Sequence, residues 1–197
     1  AQRYREQIER GELLRRRADQ LAAVLGVSRA LRSDRPLEEI LEEVAYAIQE
    51  SVGFNQVLIS VLEGDPPLRR RIAAAGLPIA EFEEIKKARE PWSVAADLMT
   101  NEFRISHSYY VPAEKQAHWR GQLLDVYEDE NVLNEPVERE PGRWHPQDML
   151  FVPLVGPGGD IQGLLSVDQP RDGKAPDRNV VEALEIFAAQ AALAIEN

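Results

Sequence analysis

Two apolar runs, Met149 to Val155 and Ile161 to Val167, stand on either side of Gly156-Pro157-Gly158-Gly159-Asp160, and no other stretch limits the fold so tightly. Both runs are rich in Val, Leu and Phe. The five residues between them carry turn chemistry: Pro157 presets φ, while Gly158 and Gly159 accept positive φ. The pattern predicts a β-hairpin. Beyond a Pro/Gly/Asp linker at 170–177, Val180, Leu184, Phe187, Ala188, Ala191 and Ile195 fall on one helical stripe. A hairpin followed by such a helix implies a sheet with one face to cover.

The upstream sequence supplies the rest of that sheet. Leu37, Ile40, Leu41, Val44, Ala45 and Ile48 make the apolar stripe of a core-facing helix, with Ser33 or Asp34 as its cap and Pro36 in its first turn. Asn55 to Leu62 reads as a strand, Gly64-Asp65-Pro66-Pro67 as a turn and Leu68 to Ala75 as the hairpin partner. Three successive arginines, Arg69, Arg70 and Arg71, suit an edge strand with a wet face. Ile79 to Arg89 predicts a short charged helix. Phe103 to Val111 alternates with period two, which puts Phe103, Ile105, His107 and Tyr109 on one face of a strand. A short helix follows through Trp119, then an acidic loop over 125–147, a length that in compact domains is usually functional or mobile. Hairpin-linked strands with helices at both ends predict an α+β domain, an antiparallel sheet with helices packed on one face.

Residues 2–31 read as one long helix ahead of this domain. Leu14, Leu21 and Ser28 recur every seven residues, with Val24 and Leu31 interleaved, which resembles a short parallel coiled coil and hence a homodimer. Arg17 falls in the seam and Gly26 weakens the helix. The same stripe also suits a helix packed on its own domain.

Charge and composition exclude several classes. The net charge of −11 is uneven: residues 1–35 hold nine arginines against five acids, a surplus of four, so the remainder carries about fifteen negative charges. An acidic body argues against nucleic acid as a partner, whose phosphates need Lys and Arg for neutralisation. The basic first segment, interleaved with Glu and Asp, reads as a solvated helix face rather than a nucleic-acid or membrane contact. No apolar run approaches membrane-spanning length, so no membrane insertion is expected, and the N-terminal residues lack the apolar segment of a signal peptide. There is no cysteine, which removes disulfides, zinc–thiolate sites and thiol nucleophiles and fits a cytoplasmic location. The start without Met and the unbroken final helix lead us to expect a segment of a longer protein.

The hairpin and the helix Phe187-Ala188-Ala189-Gln190-Ala191-Ala192-Leu193-Ala194-Ile195-Glu196-Asn197 resemble the end of a GAF domain, the small sensory module of signalling proteins. The matching features are the Val-Pro-Leu strand, the Gly-rich turn and the Gly-Leu-Leu-Ser-Val strand. The resemblance extends over about 34–195. It implies a GAF domain at 34–197 behind a signalling helix at 1–33, with a histidine kinase, diguanylate cyclase or similar output domain in the same chain. It also implies that the segment before the last hairpin closes over the sheet face opposite the end helices and forms a ligand pocket.

Six of the eight Trp and Tyr residues, Trp92, Tyr109, Tyr110, Trp119, Tyr127 and Trp144, fall within that segment. Such rings, apolar on the face and polar at the edge, line small-molecule pockets. With His107 in the same segment, the expected ligand contacts are Trp92, His107, Tyr109, Trp119, Tyr127 and Trp144. A minor core under long loops is the alternative for each ring. The ligand is an unidentified small molecule. A covalent bilin is excluded, because phytochromes attach it to a cysteine. The cyclic-nucleotide signature of regulatory GAF domains is not traceable. Neither a phosphate loop nor a Gly-x-Ser-x-Gly elbow is present, and His145 and Asp148 have no nucleophile beside them, so no catalytic role is expected. His107, His118 and His145 have no metal-ligand spacing. A single histidine holds haem in some redox-sensing relatives, but an exposed or hydrogen-bonded one needs no such role.

Overall fold

A computed structural model describes residues 1–30, 34–119 and 137–196, with side chains apart from those of 25, 27–30 and 117–119. Two helices lead, α1 (Gln2–Ala30) and α2 (Leu37–Ser51), followed by β1 (Phe54–Glu63) and β2 (Leu68–Ala75). Next come α3 (Ile79–Lys86), β3 (Glu90–Pro91), α4 (Trp92–Ala96) and a 3₁₀ turn at Asn101–Phe103. The strands β4 (Arg104–Ile105) and β5 (Ser108–Val111) precede a second 3₁₀ segment, Ala113–Trp119. The chain closes with β6 (Met149–Val155), β7 (Ile161–Pro170) and α5 (Arg178–Glu196). The strands form one antiparallel sheet in the order β3-β2-β1-β7-β6-β5-β4.

The predicted hairpin is β6–β7, with Leu154 opposite Gly163 and Gly159 at φ 85 in the turn. Its apolar residues alternate between two faces. Leu150, Val152, Leu154, Leu165 and Val167 join the main core, which α2 and α5 cover with Leu41, Val44, Ile48, Leu184 and Phe187. The helical stripes expected at 37–48 and 180–195 are therefore the buried ones. Burying so many large side chains at about 1.5–3 kcal/mol each gives the domain its main driving force.

Only the last third of α1 has a counterpart. Ala23 and Val24 pack on the main core, and Gln20 donates to the Ser51 carbonyl at 3.5 Å. Leu14 and Leu21, seven residues apart, lie on the surface. The remaining seam positions, Ser28 and Leu31, lie outside the described side chains. Thus Val24 belongs to its own domain while the Leu14–Leu21 stripe faces outward.

Three local expectations are corrected. The stretch 103–111 is a hairpin rather than one strand: Ser106 takes φ 56, and β4 folds back on β5 with Ile105 opposite Ser108. Consequently Ile105 packs on the main core and Phe103 on a separate one. Pro36, rather than Ser33 or Asp34, sits at the start of α2, with no side-chain cap. Arg69 and Arg71 of β2 are not on a wet edge, because β3 pairs outside Arg69 and its Glu90 binds and shields both side chains. The acidic loop falls largely on 120–136, outside the described residues.

Candidate functional site

The sheet face opposite the end helices carries a second, smaller core. Ala95, Leu98 and Phe103 cover Val111, Phe151 and Leu164, and Trp92, Met99, Tyr109 and Met149 pack around them. Tyr109 stacks on Phe151 with ring centroids 5.8 Å apart. Two of the expected ligand contacts, Trp92 and Tyr109, thus meet on one face. Pro91 starts α4 and holds the Trp92 end against β2, where the Trp92 amide donates to the Pro67 carbonyl at 3.1 Å. A cavity of about 210 Å³ opens at the rim beside Phe103, Arg104, Ile105, Tyr110 and Lys115.

Two other expected contacts, His107 and Trp144, are not brought to that face. His107 is exposed in the β4–β5 turn, with its ring 3.4 Å from Arg104 Nη2. Trp144 packs on the main-core side, edge-on to Phe54 at 6.4 Å and tilted against Tyr110 at 6.0 Å. Its buried indole N–H completes no hydrogen bond, although it lies close enough to Asp168 to oppose the upward push that burial gives that carboxyl. Trp119 ends the second 3₁₀ segment, its side chain beyond description. Tyr127 lies outside the described residues. No group of three or more His, Asp or Glu among the described residues is arranged to hold a metal.

Two carboxylates that sequence periodicity did not single out tie this segment down. Glu185 of α5 accepts from Ser106 Oγ at 2.7 Å, from the His107 amide at 2.8 Å and from Ser108 Oγ at 2.8 Å. One side chain of the last helix therefore fixes the turn whose neighbouring residues, Phe103 and Tyr109, build the second core. The left-handed Ser106, costly for a residue with a Cβ, is held in place by that contact.

Asp148 closes the base of the segment that leaves the sheet after β5. Its shielded carboxylate accepts from Tyr110 Oη at 2.6 Å and from the amides of Ala113 and His145 at 2.9 and 3.0 Å. Both terminal nitrogens of Arg139 also donate to it, Nη1 at 2.7 Å, and Arg139 Nε reaches Glu114 at 2.5 Å. Burial pushes the Asp148 carboxyl up, but Arg139 and the amide donors outweigh it and hold it below the usual carboxylate range. Burial and the bond to Asp148 push the Tyr110 hydroxyl well up, so it stays a donor.

A third cluster lies over β2. Arg69 and Arg71 share Glu90 of β3, at 2.5 and 2.8 Å, on the same sheet face as the second core. Neither arginine stood out as a site from the sequence, because three successive arginines read as the wet face of an edge strand.

This arrangement, an antiparallel sheet with end helices on one face and a short-element cover on the other, can be compared with known proteins. The family model for the GAF domain matches residues 36–195. The chain belongs to the GAF domain family. No curated protein matches it in sequence. Among solved structures, the GAF domain of an Acinetobacter phosphoenolpyruvate-protein phosphotransferase is similar at TM-score 0.59 and 16% identity, over 90% of this chain and 92% of that one. The phycocyanobilin-bound GAF domain of a cyanobacterial phytochrome is similar at TM-score 0.59 and 14% identity, over 89% and 93%. A fragment of a methyl-accepting chemotaxis protein matches at TM-score 0.56 and 17% identity, over 88% and 94%. At such identities the likeness is one of fold. In this GAF domain the face opposite α2 and α5 is the one that Trp92, Tyr109, Arg69 and Arg71 occupy.

Proposed function

We propose that the chain is a cytoplasmic GAF sensory module that binds a small molecule beneath the 92–103 cover and relays its state through the end helices. The observation that carries this reading is the Glu185 contact. It links the 103–109 turn region, one wall of the candidate ligand face, directly to α5, so a ligand that favours one position of that wall also favours one position of the helix. The ligand contacts on this reading are Trp92 and Tyr109. The module acts as a homodimer: Leu14 and Leu21 on α1 and Ile186 and Leu193 on α5 are exposed pairs, each seven residues apart, as a two-stranded seam requires. A histidine kinase or diguanylate cyclase output domain in the same chain is the receiver.

A second reading is a ligand-free relay. It is favoured by Leu98 and Phe103, which are buried and fill the centre of the face with the chain's own side chains.

The coupling is testable by a double-mutant cycle read by amide hydrogen exchange. Phe103→Ala perturbs the cover without touching α5. Exchange at residues 183–190 is expected to rise about tenfold in that variant, equivalent to about 1.4 kcal/mol. In a Glu185→Gln background the same substitution is expected to leave α5 exchange nearly unchanged. Additive effects of the two substitutions would sink the relay through Glu185.

A further inference from the structure

The face under the cover is apolar over β5, β6 and β7 but cationic over β2. A β-bulge produces this. Ile59 pairs with Ala73 while Ser60 pairs with Arg71, so Ile72 is the extra residue. Without the bulge, Arg69 and Arg71 would share the main-core face with Ala73 and Ala75. With it, they stand beside Ser60 and Leu62 on the opposite face. Bulges that re-aim side chains are over-represented next to binding sites.

The charges placed there do not balance. The Arg69 and Arg71 side chains are only 13% and 11% exposed and, among the described residues, have one carboxylate between them, Glu90, itself 18% exposed. Guanidinium groups stay protonated, so a positive charge is left over where water scarcely reaches, a costly arrangement without a partner. Burial and then repulsion from Arg71 push the pKa of Arg69 down, against the pull of Glu90. Arg71 Nε, in addition, is fully buried and has no hydrogen-bond partner. Holding β3 to β2 needs one arginine; the second and its orphan N–H call for an acceptor. Across the sheet, Arg71 is followed by Ser60 on β1, Leu164 on β7 and Pro153 on β6, a single cross-strand row that runs from the cation into the second core. At about 5 Å per strand, Leu164 lies roughly 10 Å from Arg71.

We propose that Arg69 and Arg71 bind the anionic group, a carboxylate or a phosphate, of a small ligand at the β2 end of this face, beside the Leu98 and Phe103 cover. This rests on the sensor reading above and specifies the chemistry of the molecule sensed. Guanidinium forks suit both oxyanions.

The test is a titration of the full chain with phenyl phosphate, and in parallel with the neutral phenol, at constant ionic strength, followed by NMR of the arginine Nε–H and backbone amide signals. Phenyl phosphate is expected to move the Arg69 and Arg71 Nε–H signals saturably, whereas phenol does not. Arg71→Met is expected to weaken that binding at least tenfold, and Arg71→Lys, which keeps the charge, to weaken it less. Unchanged α2 and α5 amide signals certify that the variants are folded. Arginine signals that stay put, or equal binding by Arg71→Met, would overturn the assignment. If phenol alone shifted the signals of Trp92 and Tyr109, the anion site would fall while the sensor reading stood. If neither compound bound, and the chain carried no ligand from purification, both would fall.

Discussion

Asp148→Ala is expected to cost about 3–5 kcal/mol of stability, because removing one partner of a buried pair strands the other charge. Arg139, 17% exposed, loses its main counterion and keeps only Glu114. The Ala113 and His145 amides and the Tyr110 hydroxyl lose their acceptor as well. For a domain of this size the loss corresponds to a fall of about 10 °C in Tm, measurable by thermal or urea denaturation. A loss under about 1 kcal/mol would mean that the segment closes without this cluster. The effect has a defined pH dependence. The folded pKa of Asp148 lies below its ordinary value, so its contribution is complete above the unfolded pKa near 3.9 and disappears as pH falls through the folded pKa. The stability gap between the wild type and Asp148→Asn is therefore expected at pH 7 and should shrink below about pH 4.

Gly76→Ala is expected to cost about 3 kcal/mol or more. Gly76 has φ 82, where a Cβ is strained by about 1–2 kcal/mol. An added Cβ would also stand 1.7 Å from the Asn55 carbonyl oxygen and 2.8 Å from Gln49 Nε2. That oxygen accepts from Gln49 Nε2 at 2.9 Å, so α2, β1 and the end of β2 all meet there and none can yield alone. Displacing packed backbone adds about 1–3 kcal/mol. The check is the urea midpoint of the variant with its m-value. A change under about 0.5 kcal/mol would contradict the close approach.

The helices and the last hairpin were legible because their signals are periodic. Burial of Ile40, Leu41, Val44, Ala45 and Ile48 follows from a period of 3.6, and the alternating faces of β6 and β7 follow from a period of two. The expected placement failed wherever one residue breaks the period. Ser106 reverses the chain inside an alternating run, so Phe103, Ile105, His107 and Tyr109 do not share a face. Ile72 bulges, and Arg69 and Arg71 stand on the cover side of the sheet rather than on a wet edge. A Ser-His-Ser triplet beside a left-handed residue carries no turn signature as strong as Gly or Asn, and a bulge in Arg-Arg-Arg-Ile-Ala-Ala has none. The two carboxylate clusters escaped for a different reason. Glu185 acts on residues 77 to 79 positions away, and Asp148, apart from the nearby His145 amide, on residues 9 to 38 positions away, and local pattern is blind to such contacts. Aromatic content singled out one segment, but its rings divide between two cores: Trp144 and Tyr110 seal the helix side of the sheet, and Trp92 and Tyr109 pack on the other.

If this GAF domain is a dimeric small-molecule sensor, native mass spectrometry of the freshly purified chain, compared with its denatured mass, will show a dimer carrying an added mass that is lost on denaturation. A bare monomer would contradict both the ligand and the seam formed by Leu14, Leu21, Ile186 and Leu193.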